Sequence, residues 1–87
     1  MHGDITNEVR AGWALEAVKA FGLQTGQIRP GERIDLEDSE LFEQIASEFI
    51  ADLAHLARLN GYDIDHLVDR GIAVYVDEVA EAEVVGL

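Results

Sequence analysis

Between positions 40 and 59, apolar side chains recur every three or four residues without a break. Phe42, Ile45, Ala46, Phe49, Leu53, Leu56 and Ala57 share one face of an α-helix, and Leu41, Ile50 and Ala54 widen it. That period excludes a strand over this stretch and predicts a long, central helix touching neighbours on two sides. Ser39 is the expected N-cap, and the acidic first turn suits the helix dipole. Arg58 suits the other end, and Asn60-Gly61 is the expected stop.

Two further segments carry the same period. Over 6–21, Val9, Trp13, Ala17 and Phe21 fall four residues apart, with Ala14 and Val18 widening the stripe. Thr6 is the expected cap, Gly22 the expected stop, and Trp13 an expected core residue or interface anchor. Over 63–82, behind an Asp63 cap, Ile64, Leu67, Val68, Ile72, Tyr75 and Val79 follow helical spacing. Gly71 weakens that helix, and the β-branched run at 72–76 keeps a strand open as the alternative. The connector 22–38 holds Gly22, Gly26 and the turn pair Pro30-Gly31. Its Ile28, Ile34 and Leu36 are expected to lie across the helices, with a short extended segment or 3₁₀ turn open there.

The chain of 87 residues is therefore expected to be one domain, 1–87, of the all-α class. The expected architecture is a small three-helix bundle with a long connector between helices 1 and 2. The second and third helices should form an antiparallel hairpin about the Asn60–Tyr62 turn. Three helices of this size leave one wide face hard to cover, so a homodimer is part of the expectation.

Charge is distributed unevenly. The 18 acidic residues face 6 basic ones, a net charge of −12. Residues 1–33 hold four acidic residues (Asp4, Glu8, Glu16, Glu32) against four basic ones (Arg10, Lys19, Arg29, Arg33), so the whole excess lies in 34–87. Its dense parts are Asp35, Glu37, Asp38, Glu40 and Glu43, then Asp77, Glu78, Glu81 and Glu83. Such a surface repels nucleic acid and anionic lipid and favours a basic protein, including one that itself binds nucleic acid. These nine residues are the candidate partner-binding set. The alternative is a solubilising surface.

The absence of Cys excludes disulfides, Cys-ligated zinc and thiol catalysis. No positive region followed by an apolar run opens the chain, and no run is long enough to span a membrane. A cytoplasmic location without a cofactor is the expectation. Glu48, Asp52 and His55 share the wet side of helix 40–59 and are weak metal candidates, with His66 beyond the turn. His2, His55 and His66 otherwise read as ordinary surface or half-buried residues. No Walker, Gly-rich phosphate-binding or Ser-His-Asp pattern is present.

Two resemblances add context. Ser47-Glu48-Phe49-Ile50-Ala51-Asp52-Leu53-Ala54-His55-Leu56, followed by Gly61-Tyr62-Asp63-Ile64, resembles the second half of MazG-like all-α nucleotide pyrophosphohydrolases. That likeness implies Mg²⁺ held by a Glu-x-x-Glu pair on one helix and a Glu-x-x-Asp pair on the next. Only Asp52 falls into register, and Phe49 stands where the second pair needs Glu. The order Thr6-Asn7-Glu8-x-Arg10-Ala11, Ala51-Asp52-Leu53-x-His55-Leu56-Ala57 and Gly61-x-Asp63 resembles small accessory proteins of bacteriophages and prophages. It implies a non-catalytic protein that binds a host protein, as DNA-mimic, anti-restriction and anti-CRISPR proteins do. The competing expectations are a helical dimerisation or adaptor module and the Mg²⁺-dependent hydrolase.

Overall fold

The computed structural model describes residues 5–85, with side chains as far as Ala82. Among these residues the fold is all-α: α1 (Asn7–Thr25), α2 (Ser39–Leu59) and α3 (Ile64–Val85). The segment 72–76 is helical, so the strand alternative falls. Its β-branched residues cost little in a helix long enough to outvote local preference. His2 and the end of the tail, Gly86 and Leu87, lie outside the described residues.

Local chemistry sets the ends. The Thr6 hydroxyl accepts from the Val9 N–H at 3.2 Å and caps α1. The Asp63 carboxylate accepts from the Asp65 N–H at 2.9 Å and caps α3. For α2 the cap is Asp38, one residue before the expected Ser39; its carboxylate accepts from the Leu41 N–H at 3.1 Å. An ionised carboxylate at this point also gains from the helix dipole, so it outcompetes the neighbouring hydroxyl.

The stop at Gly22 is corrected too. Helix α1 runs through it to Thr25, and Gly26, at φ 78°, makes the left-handed cap. Its N–H is directed at the carbonyls of Gly22 and Leu23. A side chain is disfavoured there, which is why glycine stands at 26. Gly22 serves close approach instead. The Gln27 and Ile28 N–H groups donate to its carbonyl at 2.9 and 3.2 Å, folding Ile28 back over α1.

The connector after Gly26 is a compact turn. At Pro30-Gly31 the Glu32 N–H donates to the Arg29 carbonyl at 3.0 Å, with Gly31 at φ 87°. That is the pattern of a type II turn, with the Glu32 carboxylate accepting from the Arg29 N–H at 2.8 Å. Ile28 is buried and Ile34 half-buried, as expected, but Leu36 is 58% exposed. It lies in the Asp35–Asp38 turn, just before α2 begins.

The core is small and sits at one junction. Val18, Ile28 and Ile45 are buried together, with Phe21, Ile34, Leu41 and Phe49 packed around them. The Phe21 and Phe49 rings stack with centroids 5.3 Å apart. Of the expected α1 stripe, Val18 and Phe21 dock, together with Gly22, while Val9, Trp13, Ala14 and Ala17 stay exposed. Trp13 is 60% exposed, which overturns its reading as core.

The second junction is the turn after α2, where the Tyr62 N–H donates to the Ala57 carbonyl at 2.8 Å and Ala57 is buried. The third joins the start of α1 to the end of α3. The Asn7 amide donates to the Glu78 carbonyl at 3.3 Å, and Arg10 pairs with the Glu78 carboxylate. Arg10 also donates to the Asn7 side-chain oxygen at 2.9 Å.

The three helices thus meet near their ends. Helices α2 and α3 do not pack along their lengths as a hairpin would, since α3 has no buried side chain among its described residues. With lengths of about 28, 31 and 33 Å at 1.5 Å per residue, all three pairs of helices are in contact and form a small, loosely packed all-α bundle. The radius of gyration is 15.2 Å, against about 12 Å for a compact chain of this length.

Candidate functional site

The uncovered apolar surface is the dominant feature of the molecule. On α3 the stripe Leu67, Val68, Ile72 and Tyr75 is 39%, 44%, 58% and 62% exposed. On α2, Ile50, Leu53, Leu56 and Leu59 are exposed on the half beyond the core junction. Trp13 adds an exposed aromatic on α1. Exposed apolar side chains gathered along one helix face are the kind of surface that binding interfaces use. The sequence carries the stripe plainly but does not say that no other described element covers it.

The acidic candidates divide by position. Asp35 and Asp38 serve the backbone: the Asp35 carboxylate accepts from the Glu37 N–H at 3.0 Å, and Asp38 caps α2. Glu37, Glu40 and Glu43 are exposed beside them. Among the described residues none of these five makes an ion pair within the chain. Glu40 and Glu43 line a shallow depression along α2 with Phe42, Gln44, Ala46, Ser47 and Ile50. All of its walls come from one helix, so it is a groove on a surface and encloses nothing.

The second group lies near the end of α3. Asp77 and Glu81 are exposed, four residues apart on one face. Glu78 is half-buried and turned inward to Arg10, which assigns it to the fold. The side chain of Glu83 lies outside the described residues. The first group belongs to the α1–α2 junction and the second to the α1–α3 junction, so α1, about 28 Å long, separates them. They do not form one acidic face.

No metal centre assembles. Among the described residues, no three His, Asp or Glu side chains converge on a point that could hold an ion. Glu48, Asp52 and His55 remain side by side on α2 without a further ligand from the described residues of α1 or α3. No described helix is long and apolar enough to cross a membrane.

The Asn7–Arg10–Glu78 contacts yield a prediction. Arg10 and Glu78 side chains are 38% and 26% exposed, so solvent screening limits the pair to about 1 kcal/mol or less. Asn7 and Arg10 nevertheless supply the polar contacts that hold the end of α3 to α1. Combined N7A and R10A substitution should speed amide exchange in the last turns of α3 and leave its first turns unchanged, as read by hydrogen exchange. Unchanged exchange at the end of α3 would show that these contacts do not hold it.

No family model, curated protein or solved structure matches this chain significantly.

Proposed function

We propose that this chain is a non-catalytic protein-binding module of the helical dimerisation or adaptor kind. The observation that carries this reading is α3: a helix of twenty-two residues with no buried side chain among those described, presenting an apolar stripe. A helix gains most of its stability from packing an apolar face. A face left open in the isolated chain is therefore a face used by a partner. Aromatic anchors suit such a contact, and Tyr75 and Trp13 are available on the surface.

A second reading rests on Asp35, Glu37, Asp38, Glu40 and Glu43. These carboxylates lack an intrachain cation among the described residues and lie together at the entry to α2. They suit a basic partner, including a nucleic-acid-binding protein whose Lys/Arg groove they would occupy in place of phosphates. This is the DNA-mimic mode, in which a phage-encoded protein would block a restriction or CRISPR component. The Mg²⁺-dependent hydrolase reading has no converging carboxylates among the described residues to support it.

The two interaction readings differ in salt dependence. Capture with the tagged chain, washed at 0.05 M and 0.5 M salt, separates them, since the Debye length at 0.5 M is about 4 Å. The adaptor reading expects a partner retained at high salt and lost with Y75D. A partner lost at high salt, and lost with the E40K/E43K pair while Y75D still binds, overturns it in favour of the acidic surface.

A further inference from the structure

We propose that the partner covering the α3 stripe is a second copy of this chain, so that the molecule is an obligate homodimer. This inference rests on the adaptor reading above and names the occupant of its apolar surface.

Surface area is the first argument. The chain exposes 7232 Å², whereas a compact monomer of this mass exposes about 5,100 Å². The excess is about 2,100 Å² per chain, or about 4,200 Å² for a pair, within the range of obligate homodimers. If only half of it lies at the interface, the pair still buries about 2,100 Å², more than a standard transient complex.

The second argument is dependence. Val18, Ile28, Ile45 and Ala57 are the buried hydrophobic residues of the described chain. They hold two of the three junctions and nothing along α3. A bundle this loosely packed needs its covering surface at all times. An occasional partner cannot supply that. A copy synthesised with every chain does, and two-fold pairs are the commonest closed assembly.

Charge placement is the third. Two chains of net charge −12 repel, so a shared seam must keep unpaired carboxylates away from its centre. At 100° per residue, Leu67, Val68, Ile72 and Tyr75 form a stripe centred near Tyr75. Asp69, Asp77 and Glu81 lie at least a third of a turn away from that centre; Asp65 lies about 80° from it, and Glu78, about 60° from it, is turned to Arg10. Stripe can meet stripe with the acidic faces turned outward. Salt then strengthens the pair by screening the repulsion, the reverse of what an acidic contact with a basic partner would show.

Sedimentation equilibrium of the full chain at micromolar concentration tests this directly. The expected mass is twice 9.6 kDa, with tighter association at 0.5 M than at 0.05 M salt and a melting midpoint that rises with protein concentration. I72E should weaken pairing roughly a hundredfold or more by placing a carboxylate in the seam from both chains. D69N should leave the pair intact. The mass of the unaltered chain decides the proposal even where I72E fails to fold. A chain that sediments as a 9.6 kDa monomer at both salts overturns it. If that monomer still holds another protein at 0.5 M salt through Tyr75, only the self-pairing fails. If it holds none, the adaptor reading fails with it. A dimer unaffected by a folded I72E chain places the seam elsewhere and also overturns the proposal.

Discussion

Replacing Ile45 by alanine should destabilise the chain more than any other single truncation of an aliphatic side chain. Ile45 is fully buried, at 0% exposure, with Val18 and Ile28 against it and Phe21, Ile34, Leu41 and Phe49 around them. Ile→Ala in a packed site costs about 2–5 kcal/mol through lost transfer energy and the cavity left behind. A domain of this length has about 4–13 kcal/mol of stability in all. Among the described residues the Ile45 cluster is also the only buried cluster between α1 and α2, so its loss opens that junction. Urea titration followed by helical circular dichroism, at fixed protein concentration, should show the midpoint falling sharply. Leu59, 74% exposed on the same helix, is the control; truncating it should cost about 0.5 kcal/mol or less. Equal losses for the two would mean that the core does not lie where α1 and α2 meet.

Sequence made some of this legible, and the reasons differ by element. Helices α2 and α3 were readable because their stripes keep one period over twenty residues, long enough to outweigh Gly71 and the β-branched run at 72–76. The face of α1 was readable only in part: Val18 and Phe21 of its stripe dock, and Val9, Trp13 and Ala17 do not. Val9, Ala11, Trp13, Ala14, Leu15, Ala17, Val18, Ala20 and Phe21 surround that helix with apolar side chains. Period alone cannot then choose the docking side, and Ile28 folding back over Gly22 chooses Val18 over Trp13. Asp38 and Ser39 are both good caps, so local chemistry left that end ambiguous by one residue. Glu78 differs from Asp77 and Glu81 only through Arg10, far away in sequence, and no local pattern announces such a pair. The α3 stripe was legible as apolar, yet whether the chain itself covers it depends on how the helices meet, which is a tertiary fact.

Gly22 illustrates the same limit and supplies a sharp test, because its substitution and that of Gly12 should act in opposite directions. Both glycines lie inside α1, where alanine is normally favoured by about 1 kcal/mol. At Gly12 an added Cβ meets nothing within 4 Å, so G12A should stabilise by roughly that amount. At Gly22 a Cβ would stand 3.0 Å from Ile28 Cγ1, 3.2 Å from its Cδ1 and 3.6 Å from Ile45 Cδ1. Valine adds two more carbons at that point and has one stiff rotamer in a helix. Either Ile28 lifts away, breaking the cluster it shares with Ile45, or α1 and α2 separate. Overpacking of this kind costs about 1–3 kcal/mol, which exceeds the propensity gain. Urea midpoints should therefore rise for G12A and fall for G22V. Retained stability in G22V would show that Ile28 does not cross α1 at this point, and with it the connector would lose its role in forming the core.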